Sequence, residues 1–228
     1  MACLTGISSM ATRALLAELA AAYARRSGVE VAIESVGGVD AAKRVQAGEA
    51  FDVVVLASDA ISRLADAGRV LAGSVVDLVH SGVAVAVRSG AARPDLSSEA
   101  AVKAAVLAAP SIGYSTGPSG TALLALFERW GITRQLEGRL VQARAGVPVG
   151  SLVAGGEVAL GFQQRSELIH LQDIDLVGDL PVAIAIDTVF SAGVCAASAQ
   201  PEAARALLAF FASAETAQAK RRQGMEPA

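Results

Sequence analysis

Four short segments hold the residue types that could do chemistry in this chain. They are Ser8-Ser9, followed by Met10; Gly37-Gly38, followed by Val39; the Ser115-Thr116-Gly117-Pro118-Ser119-Gly120 loop; and Pro148-Val149-Gly150-Ser151. Each stands where an apolar run gives way to a helical pattern. The backbone N–H groups of a first helical turn have no partner within the helix. The helix dipole adds partial positive charge at that end. Such junctions hold anions without needing Arg or Lys. One junction alone reads as an ordinary cap or turn, but four in one chain point towards an anion site. The Ser115 loop is the most specific. Its glycines permit close backbone approach, and Ser115, Thr116 and Ser119 can donate hydrogen bonds.

Other candidates are fewer. Gln163 and Gln164 end an apolar run and could line a cleft. His80, beside Ser81 and Gly82, could serve as a general acid or base. Lys43 and Arg44 read as a solvated helix face, and Phe127 and Trp130 as core. The familiar catalytic patterns are absent. There is no G-x-G-x-x-G after the first strand, no phosphate-binding G-x-x-x-x-G-K-[ST] and no H-E-x-x-H. Ser119 lies one residue short of a G-x-S-x-G elbow. The two histidines, His80 and His170, and the two cysteines, Cys3 and Cys195, match no metal spacing. No metal and no cofactor is expected.

The elements that must position these residues alternate. Leu4 to Ile7 reads as a strand and Met10 to Arg26 as a helix closed by Gly28. Val29 to Val36 alternates as a strand does, and Val39 to Ala47 reads as a helix. Phe51 to Leu56 is a continuous apolar run of the buried parallel type. Val75 to Arg88 reads as two strands broken at His80-Ser81-Gly82. Further strands are expected at Ser111 to Tyr114, Val158 to Gln164 and Ile184 to Val194. Helices are expected at Ala60 to Ala67, Ser98 to Leu107, Thr121 to Trp130 and Ser151 to Ala154, with one from Pro201 to Arg222 closing the chain. Strands alternating with helices predict an α/β fold with largely parallel sheets. Ligands of such sheets sit beyond the carboxyl ends of the strands.

Composition agrees with a folded chain of that kind. Of 228 residues, 53% are hydrophobic and 18% charged, which excludes a disordered chain. The apolar residues are spread out, and no uncharged run of about 18 residues suggests membrane insertion. A net charge of −3 and 4% aromatics give neither a basic field nor a stacking surface for nucleic acid. Met1 leads almost directly into the first strand. A native start there would imply a cytoplasmic protein, and an upstream signal segment would imply a periplasmic one.

Several stretches carry a family resemblance. They are Gly6-Ile7-Ser8-Ser9; the helix end running from Tyr23 through Arg25-Arg26-Ser27-Gly28 to Val31; Ala47-Gly48-Glu49 with Phe51-Asp52-Val53-Val54-Val55-Leu56-Ala57; Gly155-Gly156-Glu157 with Leu160-Gly161-Phe162-Gln163-Gln164; and the ending Gly224-Met225-Glu226-Pro227-Ala228. Across nearly the whole chain it resembles the type 2 periplasmic solute-binding proteins, and most nearly the molybdate-binding branch that serves ABC transporters. The resemblance implies an α/β fold of two lobes with the ligand cleft between them. Lobe one would be 1–81 plus 189–228, and lobe two 82–188, inserted, with crossings near Ser81 and Thr188. Hinge closure would bury the ligand. A monomer is implied, with an ABC permease as partner.

By the same resemblance, Ser8 or Ser9 matches the first-helix serine that holds the oxyanion. Gly37 and Gly38 stand where the family offers a second serine, Val149 at a backbone-donor position, and Gln163 near a frequent tyrosine. The expected ligand is a small anion, either an oxyanion or, with those two side chains replaced and extra donors in the Ser115 loop, a ligand richer in acceptor oxygens such as a polycarboxylate. An alternative follows from the same scaffold. Aconitate isomerase resembles these binding proteins and moves a proton on a tricarboxylic acid, and His80 would be the base in an enzyme of that type.

Overall fold

The computed structural model describes residues 3–228. In chain order the elements are β1 (Cys3–Ser9), α1 (Arg13–Ser27), β2 (Glu30–Val36), α2 (Gly38–Gln46), β3 (Val53–Ala57), α3 (Ser58–Asp66) and β4 (Val76–Arg88). Next come α4 (Glu99–Ala108), β5 (Ile112–Tyr114), α5 (Pro118–Arg129), β6 (Leu140–Gln142), α6 (Val149–Ala154), β7 (Leu160–Gln164), α7 (Arg165–Leu168), β8 (Ile174–Asp179) and β9 (Asp187–Val194). The chain ends in α8 (Pro201–Ala212), α9 (Ala217–Arg222) and β10 (Glu226–Pro227). Two compact units result, Met1–Ser81 with Val189–Ala228, and Gly82–Thr188.

In the first unit, β1 pairs in parallel with β2 and with β3. β9 runs antiparallel to β3, and β4 follows it in the sheet with β10 beyond. The VVVLA run of β3 is buried along its whole length, as a central strand covered on both faces must be. On one face, Leu4, Val53 and Val55 pack against Leu15, Leu16 and Leu19 of α1 and Leu207, Leu208 and Phe211 of α8. On the other, Ile7, Val54 and Leu56 meet Ala41 and Val45 of α2 and Ile61 and Leu64 of α3. Alternation along the strands assigns these two faces. It also sends Ser8 to the α1 face and Ser9 to the α2 face. Helix α1 stops where Gly28 takes φ 74° and donates its N–H to Ala24 O, a left-handed cap that suits glycine. At the opposite strand end, Asp52 is buried and accepts from Thr5 N at 2.8 Å and Ser198 Oγ at 2.6 Å. Burial, and then the Asp52 charge, pushes the Cys195 thiol up to about 12.

In the second unit, β7, β5 and β6 run parallel to one another, with β4 antiparallel to β7. Val85, Val87, Ile112 and Phe162 form its main core with Val102, Leu123 and Phe127. Ala84 and Ala86 face the other way, towards Leu168 of α7.

Four expectations are corrected. The 76–88 segment is one unbroken strand, not a pair split at His80-Ser81-Gly82. Its first part pairs with β10 and its later part with β7 and β8, so the polar triplet never has to turn. The 201–222 helix is two helices, interrupted by a 3-10 turn at Ala214–Thr216 where the Thr216 hydroxyl bonds Phe211 O and Ser213 O. Helices α5 and α6 begin at Pro118 and Val149, ahead of the expected Thr121 and Ser151.

Candidate functional site

The parallel register brings the carboxyl ends of β1, β2 and β3 level. Ser8 is opposite Ser35 and Val55, and Ser9 is opposite Val36. Beyond these ends the chain enters a 3-10 turn at Met10–Thr12, then α2, then α3. Ser8 is fully buried, and its Oγ lies 2.8 Å from Ser35 Oγ. Ser9 is extended, and Thr12 Oγ1 donates to its carbonyl at 3.1 Å. A serine before a helical turn ordinarily accepts a backbone N–H of that turn. Ser9 does not. Its Oγ is buried and has no hydrogen-bond partner.

Helix α2 begins beside it. Gly37 is the cap residue and offers no side chain, so the first turn of α2 has no side-chain cap. A Cβ placed on Gly38 would lie 3.5 Å from Ser9 Cβ, so the Ser9 side chain and the start of α2 are in contact range. Val39 is 54% exposed there, and Met10 is partly exposed. Arg44 is committed elsewhere, bonded to Glu34 at 2.7 Å and stacked 5.2 Å from the Phe51 ring centre. The set Ser8, Ser9, Met10, Gly37, Gly38 and Val39 therefore assembles at one strand end. Sequence reasoning missed Ser35 and Ser58, which opens α3. Their signal was the same, a serine at the end of an apolar run.

The second unit repeats the arrangement at the ends of β5 and β7, which are parallel neighbours. Ser115 Oγ and Ser119 Oγ lie 3.0 Å apart, with Ser119 buried and Thr116 exposed. Gly117 O accepts from Gly120 N at 3.0 Å. A Cβ on Gly120 would stand 1.9 Å from Ser115 O, so only glycine lets the loop close on the helix. At the end of β7, Gln163 and Gln164 are buried, although amides at a strand end usually face solvent. Gln163 Oε1 accepts from Val149 N at 2.7 Å, capping α6 where Pro148 cannot. The expected Val149 donor is thus engaged within the protein. Gln163 Nε2 donates to Glu167 Oε1 at 2.8 Å, and Gln164 Nε2 to Thr188 Oγ1 at 2.9 Å.

Ser166 and Glu167, on α7, escaped sequence reasoning although they directly follow the glutamine pair. Ser166 Oγ is buried with no partner. Burial pushes the Glu167 carboxyl up to about 7, and only the Gln163 bond opposes this.

His80 and Ser81 both lie in β4. His80 is exposed within β4, opposite Glu226 of β10. In the sheet order β1-β3-β9-β4 it lies three strands from Ser8, about 14 Å at the usual spacing. Ser81 is fully buried in the same strand. Among the described residues, no three His, Cys, Asp or Glu side chains converge as metal ligands.

Comparisons with known proteins match this architecture. A family model described as bacterial extracellular solute-binding protein covers residues 4–226. Aconitate isomerase from Pseudomonas sp is 38% identical over 232 aligned positions, covering 98% of this chain and 87% of that protein. Among solved structures, the periplasmic molybdate-binding protein of Azotobacter vinelandii superposes with a TM-score of 0.82 at 19% identity, covering 97% of this chain and 98% of that one. The sulfate-binding protein SubI of Mycobacterium tuberculosis H37Rv does so with a TM-score of 0.80 at 16% identity, covering 100% and 87%. At those identities the structures speak to the fold alone. The family match and the 38% identical relative speak to descent, and the chain belongs to the bacterial extracellular solute-binding proteins.

Proposed function

We propose that this protein binds a small anion through strand-end hydroxyls and uncapped helix starts. The observation that carries the reading is Ser9. A buried hydroxyl without a partner costs free energy in the free protein. A ligand oxygen at the start of α2 would give it one. In the first unit the neighbouring Ser8–Ser35 pair and the α2 dipole add further support, and the second unit carries a hydroxyl pair of its own, Ser115–Ser119. Relatives in fold are named for binding molybdate and sulfate, which supports an oxyanion as ligand, and the aconitate isomerase relative supports a polycarboxylate. As a solute-binding family member, the protein would work from the periplasm and deliver its anion to an ABC permease.

Calorimetric titration tests this. Molybdate, sulfate and trans-aconitate are titrated into wild type and Ser9→Ala. Wild type should bind at least one of them. Ser9→Ala should weaken that ligand about 10- to 100-fold, the scale of one hydrogen bond to a charged group. Equal affinities would remove Ser9 from the site.

A second reading has its own support. The relative of 38% identity that spans 98% of the chain is an aconitate isomerase. On that reading the bound anion is a tricarboxylate and the protein moves a proton on it. Conversion of trans- to cis-aconitate, followed by proton NMR, tests it directly.

A further inference from the structure

We propose that Glu167 is the acid–base group at the end of β7, moving a proton between two carbons of an unsaturated polycarboxylate. The proposal rests on the isomerase reading and gives it a residue. Four observations carry it. Glu167 Oε1 is held by Gln163 Nε2 at 2.8 Å, and Gln163 is itself held by Val149 N at 2.7 Å, so the carboxyl is oriented from the backbone of α6. Its other oxygen makes no hydrogen bond among the described residues. Next to it in sequence, Ser166 presents a buried hydroxyl with no partner, able to donate to charge that develops on a substrate. No cation pairs with the carboxyl among the described residues, so it is not a structural ion pair.

The charged surroundings are sparse. Neither α6 nor β7 carries a titratable side chain. On α7, Arg165 is engaged 2.9 Å from Asp179 of β8, which also carries Asp175. His170 beyond α7 is exposed, and Arg88 ends β4. Burial therefore dominates and brings the carboxyl to about 7, near the optimum for a base that must also return its proton.

The step balances without a co-reactant. The Glu167 carboxylate takes a proton from the methylene carbon next to the double bond. The C–H electron pair becomes the new C=C. The old π pair moves to the far carbon, which takes the proton back from the Glu167 acid. One C–H bond breaks, one forms, and the enzyme is regenerated.

The test is turnover of trans-aconitate by wild type, Glu167→Gln and Glu167→Asp, with thermal stabilisation by trans-aconitate measured alongside. Wild type should turn over, with kcat/KM rising with pH to a plateau above about 7. Glu167→Gln keeps an acceptor for Gln163 and should stay folded and stabilised by the ligand, yet lose at least about 100-fold in kcat. Glu167→Asp should retain part of the activity with a shifted pH profile. If wild type turns over and Glu167→Gln stays within threefold of it, Glu167 is not the base and the isomerase reading stands. If wild type binds trans-aconitate without turning it over, the isomerase reading falls, and the role of Glu167 falls with it.

Discussion

Two adjacent serines at the end of β1 have opposite accounts. Ser8 already has its partner in Ser35, while Ser9 has none. Their alanine variants should therefore separate stability from binding. Ser8→Ala leaves Ser35 without its 2.8 Å partner and should cost about 1 kcal/mol, a fall in Tm of roughly 2–4 °C. Ser9→Ala removes a hydroxyl that bonds nothing, so its Tm without ligand should match wild type or exceed it. Thermal unfolding of the two variants without anion checks this. A Ser9→Ala loss as large as that of Ser8→Ala would show that the Ser9 hydroxyl has a partner in the free protein.

At the scale of elements, junction geometry decides where donors end up. The β5–α5 turn works because Gly120 lets Ser115 O approach its Cα. Gly120→Ala should displace that loop and cost on the order of 3 kcal/mol, the upper end for overpacking, lowering Tm by roughly 6–12 °C. Denaturant unfolding measures it. The glycine and its serines were legible in sequence as a turn rich in donors. The α6 start was legible as a junction, but its Val149 N–H was not legible as engaged, because the group that engages it, Gln163, comes 14 residues later on a strand. His80-Ser81-Gly82 misled for a related reason. A polar triplet between apolar runs has the composition of a turn, and pairing with β10 on one stretch and with β7 and β8 on the next makes β4 a single strand. Tertiary pairing overrode local composition.

For the whole molecule, the alternation of apolar runs with helical patterns was enough to indicate an α/β chain. Local signals pick out strand-to-helix junctions well, because each is set by a few consecutive residues. They pick out side chains such as Ser35, Ser166 and Glu167 poorly, because their importance comes from burial and from what lies across the sheet. Glu167 also marks the stability of the whole chain. Its folded-state value of about 7 lies above the ordinary 4.5. Between those values the folded state holds a proton that the unfolded state has lost, so stability falls as pH rises through that window and levels off above it. Glu167→Gln should remove this fall, making the variant more stable than wild type at pH 8 and similar at pH 4.5. Chemical denaturation across that range reads the difference. A wild-type profile that Glu167→Gln leaves unchanged would place the carboxyl at an ordinary value.

Anion binding itself is the central claim, and thermal unfolding of the wild-type protein tests it most directly. Molybdate, tungstate, sulfate, citrate, cis-aconitate and trans-aconitate are each added at increasing concentration. At about 100 times its dissociation constant, a ligand stabilises by about 2.7 kcal/mol, which for a chain of this size raises Tm by roughly 5–11 °C. A shift of that size with at least one anion, saturating with concentration, is the predicted result. Unchanged Tm values with all six at millimolar concentration would contradict the account.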